Sequence, residues 1–181
     1  MKVIEQEIHS LKNSISEMWA LVHQQLYNAG EAMLTGDKEL AYKVISGNAR
    51  VNAFELKIDS DCEDIIALYA PVAIDLRFVL AMYKINTNLE RLGDFAESIA
   101  RFAGNLPEGE PIDPQLVKET RVEEMLSELL SMISLTKEAF EKESSEIASR
   151  IFLKDNLIDE INHNSTAIIA KYIEEHKGSA L

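Results

Sequence analysis

The chain has 181 residues, 46% of them hydrophobic, which is enough to bury a core and excludes a disordered chain. Its 31 Asp and Glu against 18 Lys and Arg leave a net charge of −13, which repels nucleic acid and anionic lipid. Seven glycines and four prolines are too few for a β-sandwich or barrel, and the single cysteine, Cys62, excludes an internal disulfide and a Cys-based metal site. No run approaches the ~18 apolar residues of a membrane span. Glu5 stands where a signal peptide is apolar. The expectation is a soluble, cytoplasmic, all-α protein.

The helix period runs through most of the chain. Ile4, Ile8, Leu11, Ile15, Met18, Val22, Leu26, Ala29 and Met33 form one stripe on a first long helix. It stops at Leu34-Thr35-Gly36-Asp37, where Gly36 suits a left-handed cap and Asp37 caps the next helix. The second helix carries Leu40, Val44, Val51, Phe54, Ile58, Cys62 and Ile65, and runs out at Tyr69-Ala70-Pro71. The third carries Phe78, Met82, Ile85, Leu89, Leu92, Ala96, Ile99 and Ala103. A loop from Gly104 to Pro114 holds Pro107, Gly109 and Pro111 and marks a unit boundary. A fourth helix shows Val122, Met125, Leu126, Leu129, Ile133 and Phe140, and a fifth shows Ile147, Ile151, Ile158, Ile161, Ile168 and Tyr172. Ser144 or Ser145 caps the fifth.

A shift of 107 residues lays the first part of the chain on the second. Glu17-Met18 falls on Glu124-Met125, Val44 on Ile151, Asn48 on Asp155, Val51 on Ile158 and Asn52 on Asp159. Polar positions match as well as apolar ones. The shifted third helix would open near residue 178. The expected organisation is therefore a three-helix bundle over 1–106 and a second bundle over 112–181 that lacks its third helix. Either the chain is a truncated form, or another subunit supplies the missing helix.

Glu90, Asp94 and Glu97 share one face of the third helix, beside its apolar stripe. Like charges at this spacing cost a few tenths of a kcal/mol each without a counter-ion. Arg91, Arg101 or a metal would compensate. Asp155 and Asp159 form a second i, i+4 pair, with Asp155 on the stripe between Ile151 and Ile158, where a carboxylate would be partly desolvated. Carboxylate clusters suit hard cations, iron or manganese. A solvated or salt-bridged acidic face is the other reading of the same spacing.

The ordered set Leu34-Thr35-Gly36-Asp37, Asn48-Ala49-Arg50-Val51-Asn52, Pro71-Val72-Ala73-Ile74-Asp75-Leu76-Arg77 and Leu89-Glu90-Arg91-Leu92-Gly93-Asp94 resembles the PhoU family of phosphate-uptake regulators. Asp155-Asn156-Leu157-Ile158-Asp159 stands at the acidic motif of that family's second repeat. The resemblance implies two tandem three-helix bundles of long antiparallel helices in a cytoplasmic, often dimeric protein. It implies negative control of a high-affinity phosphate transporter and of phosphate-starvation signalling. The implied partners are the transporter's ATPase subunit and a sensor histidine kinase. It also implies multinuclear iron, manganese or zinc sites on acidic motifs, which Glu90 with Asp94 and Asp155 with Asp159 match. Asn48 and Asn52 depart from the family's carboxylates, and an amide is a weaker ligand. They and Glu97 rank as metal or outer-sphere candidates. Asp75 and Arg77 read as an N-terminal acid with a local ion pair, or as a partner-facing hinge. Arg91 reads as a partner for the acids, Gly93 as a close-packing position, and Met18 and Trp19 as core.

Rival readings lack their residues. A di-iron oxidase needs two Glu-x-x-His segments, and only Glu160-Ile161-Asn162-His163 is present. A histidine phosphotransfer bundle needs an exposed His beside basic and small residues, and His9, His23, His163 and His176 lack that setting. No nucleophile with a paired base and no phosphate-cradling glycine loop is evident, so the chain does not read as an enzyme. A metal-free helical adaptor or scaffold in two-component signalling is the alternative to the regulator.

Overall fold

Leu11, Ile15, Met18 and Val22, four consecutive members of the first stripe, are completely buried. They lie on α1 (Val3–Thr35), which packs against α2 (Lys38–Tyr69) and α3 (Ala73–Asn105). Each of these helices is about 50 Å long at 1.5 Å per residue. Val51, Ile58 and Cys62 of α2 and Val79, Met82 and Leu89 of α3 complete a shared core. The chain continues through α4 (Pro114–Thr120), α5 (Val122–Glu141) and α6 (Ser145–Glu175). This computed structural model describes residues 3–107 and 111–176, and among them there is no β-strand.

Local chemistry sets the helix ends. Gly36 takes a left-handed φ of 70°, and the Asp37 side chain accepts from the Leu40 amide at 2.9 Å. Ser144 caps α6 in the same way, accepting from the Ile147 amide at 3.2 Å. α2 stops at Tyr69 because Ala70 turns left-handed (φ 44°) before Pro71. Helix α3 opens at Ala73, two residues beyond Pro71, and runs through Gly104 to Asn105. The connection to α4 is therefore shorter than the expected Gly104–Pro114 loop. Gly109 and the region near residue 178 lie outside the described residues.

The fourth helix, expected from Val122, is α5, and a separate short helix, α4, stands ahead of it; Arg121, at φ 55°, breaks the chain between the two. The break is stabilised rather than strained open. The Thr120 hydroxyl donates back to the Leu116 carbonyl at 2.7 Å, and the Arg121 guanidinium bridges Glu124 (2.7 Å) and Glu160 on α6 (2.8 Å). β-Branched Thr120 and Val122 flank the break, where neither Gly nor Pro announces it.

Helix α1 belongs to both halves, since α5 packs along its other side. Trp19 stacks on Phe140 with ring centroids 5.7 Å apart, and Lys12 pairs with Glu143 at 2.8 Å. Gly30 admits Leu126 so closely that an added Cβ would lie 2.1 Å from its Cδ2. Beyond that seam α5 and α6 bury little: Ala139 and Ile161 are their fully buried residues, while Phe152 and Leu153 are exposed.

Candidate functional site

The polar seam between α2 and α3 is a ladder of amides and carboxylates. Positions 48, 55 and 59 of α2 face 94, 90 and 86 of antiparallel α3. At one end the buried Asn48 amide donates from Nδ2 to Asp94 Oδ1 (2.9 Å) and to Glu97 Oε2 (2.6 Å). At the other end the buried Asn86 amide donates to the Glu55 carbonyl (2.9 Å) and to Asp59 Oδ1 (2.7 Å). The middle rung is acidic. Glu90 lies one turn from Asp94 on α3 and feels Glu55 across the seam. Burial, reinforced by repulsion from Asp94 and Glu55, holds its carboxyl above the usual glutamate range, while Arg91 pulls the other way.

Glu97 has a second partner, the Arg101 guanidinium one turn on, with Nε donating at 2.8 Å. Arg101 is thus the local counter-ion, while Arg91 is exposed and acts on Glu90 through space. Gly93 is where close packing was expected: a Cβ there would lie 2.8 Å from Val51 Cγ1 and 3.2 Å from Asn48 Oδ1. Glu55, Asp59 and Asn86 were not singled out in the sequence. Their signal was present, since Glu55 and Asp59 continue the Asn48–Asn52 face and Asn86 precedes Glu90 by one turn.

Other expected residues are not drawn into this seam. Asn52 is exposed on α2. Asp155 and Asp159 are both exposed on α6. Asp155 is not desolvated as its stripe position suggested: α5 covers the stripe well enough to bury Ile161 but leaves Ile151 and Ile158 only half-buried on either side of Asp155. Asp75 sits in the first turn of α3, where an acid suits the helix dipole, but no ion pair joins it to exposed Arg77. Met18 and Trp19 are core.

One serine does meet a histidine, against expectation. Ser134 Oγ of α5 lies 3.1 Å from His23 Nε2 of α1. Both sit inside long helices whose backbone amides bond within the helix, so no backbone oxyanion donor lies beside the pair.

A multinuclear metal site needs several oxygen ligands converging on one point. As arranged, the α2–α3 seam does not fit one. Asp94 and Glu97 converge on an N–H donor, and an N–H cannot ligate a cation. The buried Asn48 Oδ1 points away from them and has no partner. Flipping the amide would turn an acceptor onto two carboxylates. Among the described residues, no three His, Cys, Asp or Glu side chains gather as a metal would require.

Comparison with known proteins agrees with the architecture. The PhoU domain family model matches residues 15–103, which contain α2, nearly all of α3 and the whole amide–carboxylate ladder. A phosphate-specific transport system accessory protein PhoU homolog of Aquifex aeolicus is 34% identical over 171 residues, covering 93% of this chain and 75% of its own length. PhoU homolog 1 of Thermotoga maritima is 31% identical over 176 residues, covering 97% of this chain and 75% of its own. The crystal structure of the phosphate transport system regulatory protein PhoU from Streptococcus pneumoniae superposes with a TM-score of 0.84 at 28% identity, over 96% of this chain and 80% of that one. With the helical architecture and the sequence both matched over nearly its whole length, the chain belongs to the PhoU family.

Proposed function

We propose that this protein regulates phosphate uptake, restraining a high-affinity phosphate transporter and phosphate-starvation signalling when phosphate is plentiful. The observation that carries this reading is the match over 93% of the chain to a relative named as a phosphate transport accessory protein. The control works through protein contacts and not through catalysis, in the cytoplasm. The contacts are with the transporter's ATPase subunit and a sensor histidine kinase.

The apolar face of α6 around Phe152 and Leu153 supports a homodimer or another partnered state. The Asn48 clasp favours regulation that needs no metal at the α2–α3 seam.

Deletion of the gene tests the regulator. Phosphate uptake and phosphate-starvation genes should be derepressed in phosphate-rich medium, and the intact gene should restore repression. Unchanged uptake and expression would overturn the reading. A solution mass equal to that of one chain would remove the dimer from it.

A further inference from the structure

We propose that the α2–α3 end of the first bundle docks an amphipathic helix of a partner protein whose apolar stripe is flanked by Lys and Arg. Leu68, Val72 and Ile74 crown this end, exposed by 72%, 74% and 79%. Ile74 leads into an open groove of about 660 Å³ between α1, α3 and the end of α5, walled by Ile8, Phe78, Met82 and Phe140 with His9, Lys12 and Glu143 along it. A groove between helices with apolar walls is the shape that receives another helix.

The backbone holds the tip outward at a cost. Ala70 (φ 44°) and Ala73 (φ 49°) are both left-handed, and Pro71 between them is buried. A left-handed conformation is disfavoured for any residue with a Cβ. The chain tolerates this twice within four residues, in a turn that leaves Val72 and Ile74 in solvent. Strain of this kind gathers where a surface must be presented in one shape.

Charge selects the occupant. Near the tip the acids are Glu63, Asp64 and Asp75 against Arg77, while Asp61 is paired with Lys57 and Asp59 is held by Asn86. Glu63, Asp64 and Asp75 are exposed. Lys12, at the inner end of the groove, is already paired with Glu143 at 2.8 Å. An anionic membrane and a nucleic acid are both repelled by such a rim. The same tip of a second copy is repelled for the same reason. A basic, amphipathic protein helix satisfies the apolar crown and the acidic rim together.

The test uses a fluorescein-labelled 18-residue helix of Leu and Lys in heptads, followed by anisotropy at 150 mM salt. The whole protein should bind it saturably. A triple variant, Leu68→Ser, Val72→Ser and Ile74→Ser, keeps every charge and removes only exposed side chains. It should bind at least tenfold more weakly, with an unchanged far-UV spectrum and melting temperature. A Leu/Glu helix should not bind. No binding, equal binding by the triple variant, equal binding of the Leu/Glu helix, or preference for phosphatidylglycerol vesicles over the Leu/Lys helix would each overturn the proposal. None of these outcomes depends on phosphate uptake, so this proposal and the regulator reading fail separately.

Discussion

Asp37 and Ser144 stand 107 residues apart and do the same job, each accepting a hydrogen bond from the amide three residues on to start α2 and α6. The residues just before them, Gly36 at φ 70° and Glu143 at φ 51°, are both left-handed. The repeat therefore extends past apolar period to the geometry of the turn. Removing an N-cap costs about 1 kcal/mol. Asp37→Ala and Ser144→Ala should each lower stability by that amount in urea denaturation. The caps are far apart in sequence and share no partner, so the double variant should lose the sum to within about 0.5 kcal/mol.

Gly93 lets α3 approach α2. An added Cβ would meet Val51 Cγ1 at 2.8 Å, and Val51 is a completely buried, stiff β-branched side chain that cannot swing aside. Gly93→Ala should gain a little helix propensity and lose more to overpacking, for a net loss of about 1–2 kcal/mol. The same substitution at Gly104, which has open space, should leave stability unchanged or raise it. Thermal denaturation of the two variants side by side decides this.

These cases show what periodicity and cap chemistry make legible. Asp37, Ser144, Gly36 and Gly93 are short-range signals, and each is realised where the sequence puts it. Arg121 is not legible, because its break depends on a guanidinium reaching Glu160 on a helix 39 residues away. Asp155 is misplaced for a related reason. A stripe predicts which face is apolar, but burial depends on what packs over it. The acidic site was half legible. Spacing put Glu90, Asp94 and Glu97 on one face, but could not show that Asn48 reaches across from α2 and donates to two of them.

Glu90 should give stability a pH dependence of known sign. Its carboxyl pKa is raised by burial and by Asp94 and Glu55, so the folded chain keeps that proton to higher pH than the unfolded chain does. The contribution is fully present below the unfolded value and is lost as pH rises through the raised folded one. Glu90→Gln removes the dependence. The variant should gain on the parent as pH goes from 4 to 8, by a few tenths of a kcal/mol for each like-charge pair relieved. Urea midpoints of both proteins across that range should diverge upward, and parallel curves would contradict the assignment.

Cys62 should be chemically silent. It is buried against α3, near the Val79 carbonyl, and burial with Asp59, Asp61 and Glu63 nearby pushes its thiol up to about 12. Reactivity needs both the thiolate and access. With a thiol-reactive disulfide reagent at pH 8 the native protein should react only at its opening rate, while protein in denaturant should react at once with a stoichiometry of one. Fast native labelling would contradict the burial.

Asn48 decides whether the acidic seam is a cation site. Its two Nδ2 hydrogen bonds go to Asp94 and to Glu97, whose other oxygen takes Arg101. Bonds to charged acceptors contribute about 1.5–3 kcal/mol. Asn48→Asp removes both and adds a third carboxylate to the same point, so it should destabilise the chain by about 3 kcal/mol at pH 7. It also replaces the donor with an oxygen ligand, which is the change a hard cation needs. Millimolar Mn²⁺ should therefore restore much of the lost stability to Asn48→Asp, and little to Asn48→Ala, which loses the same bonds without gaining a ligand. The parent should gain nothing at this seam. If the parent is stabilised by Mn²⁺ as much as Asn48→Asp is, and Asp94→Asn abolishes the gain, the amide is displaced by metal and the seam is a cation site after all.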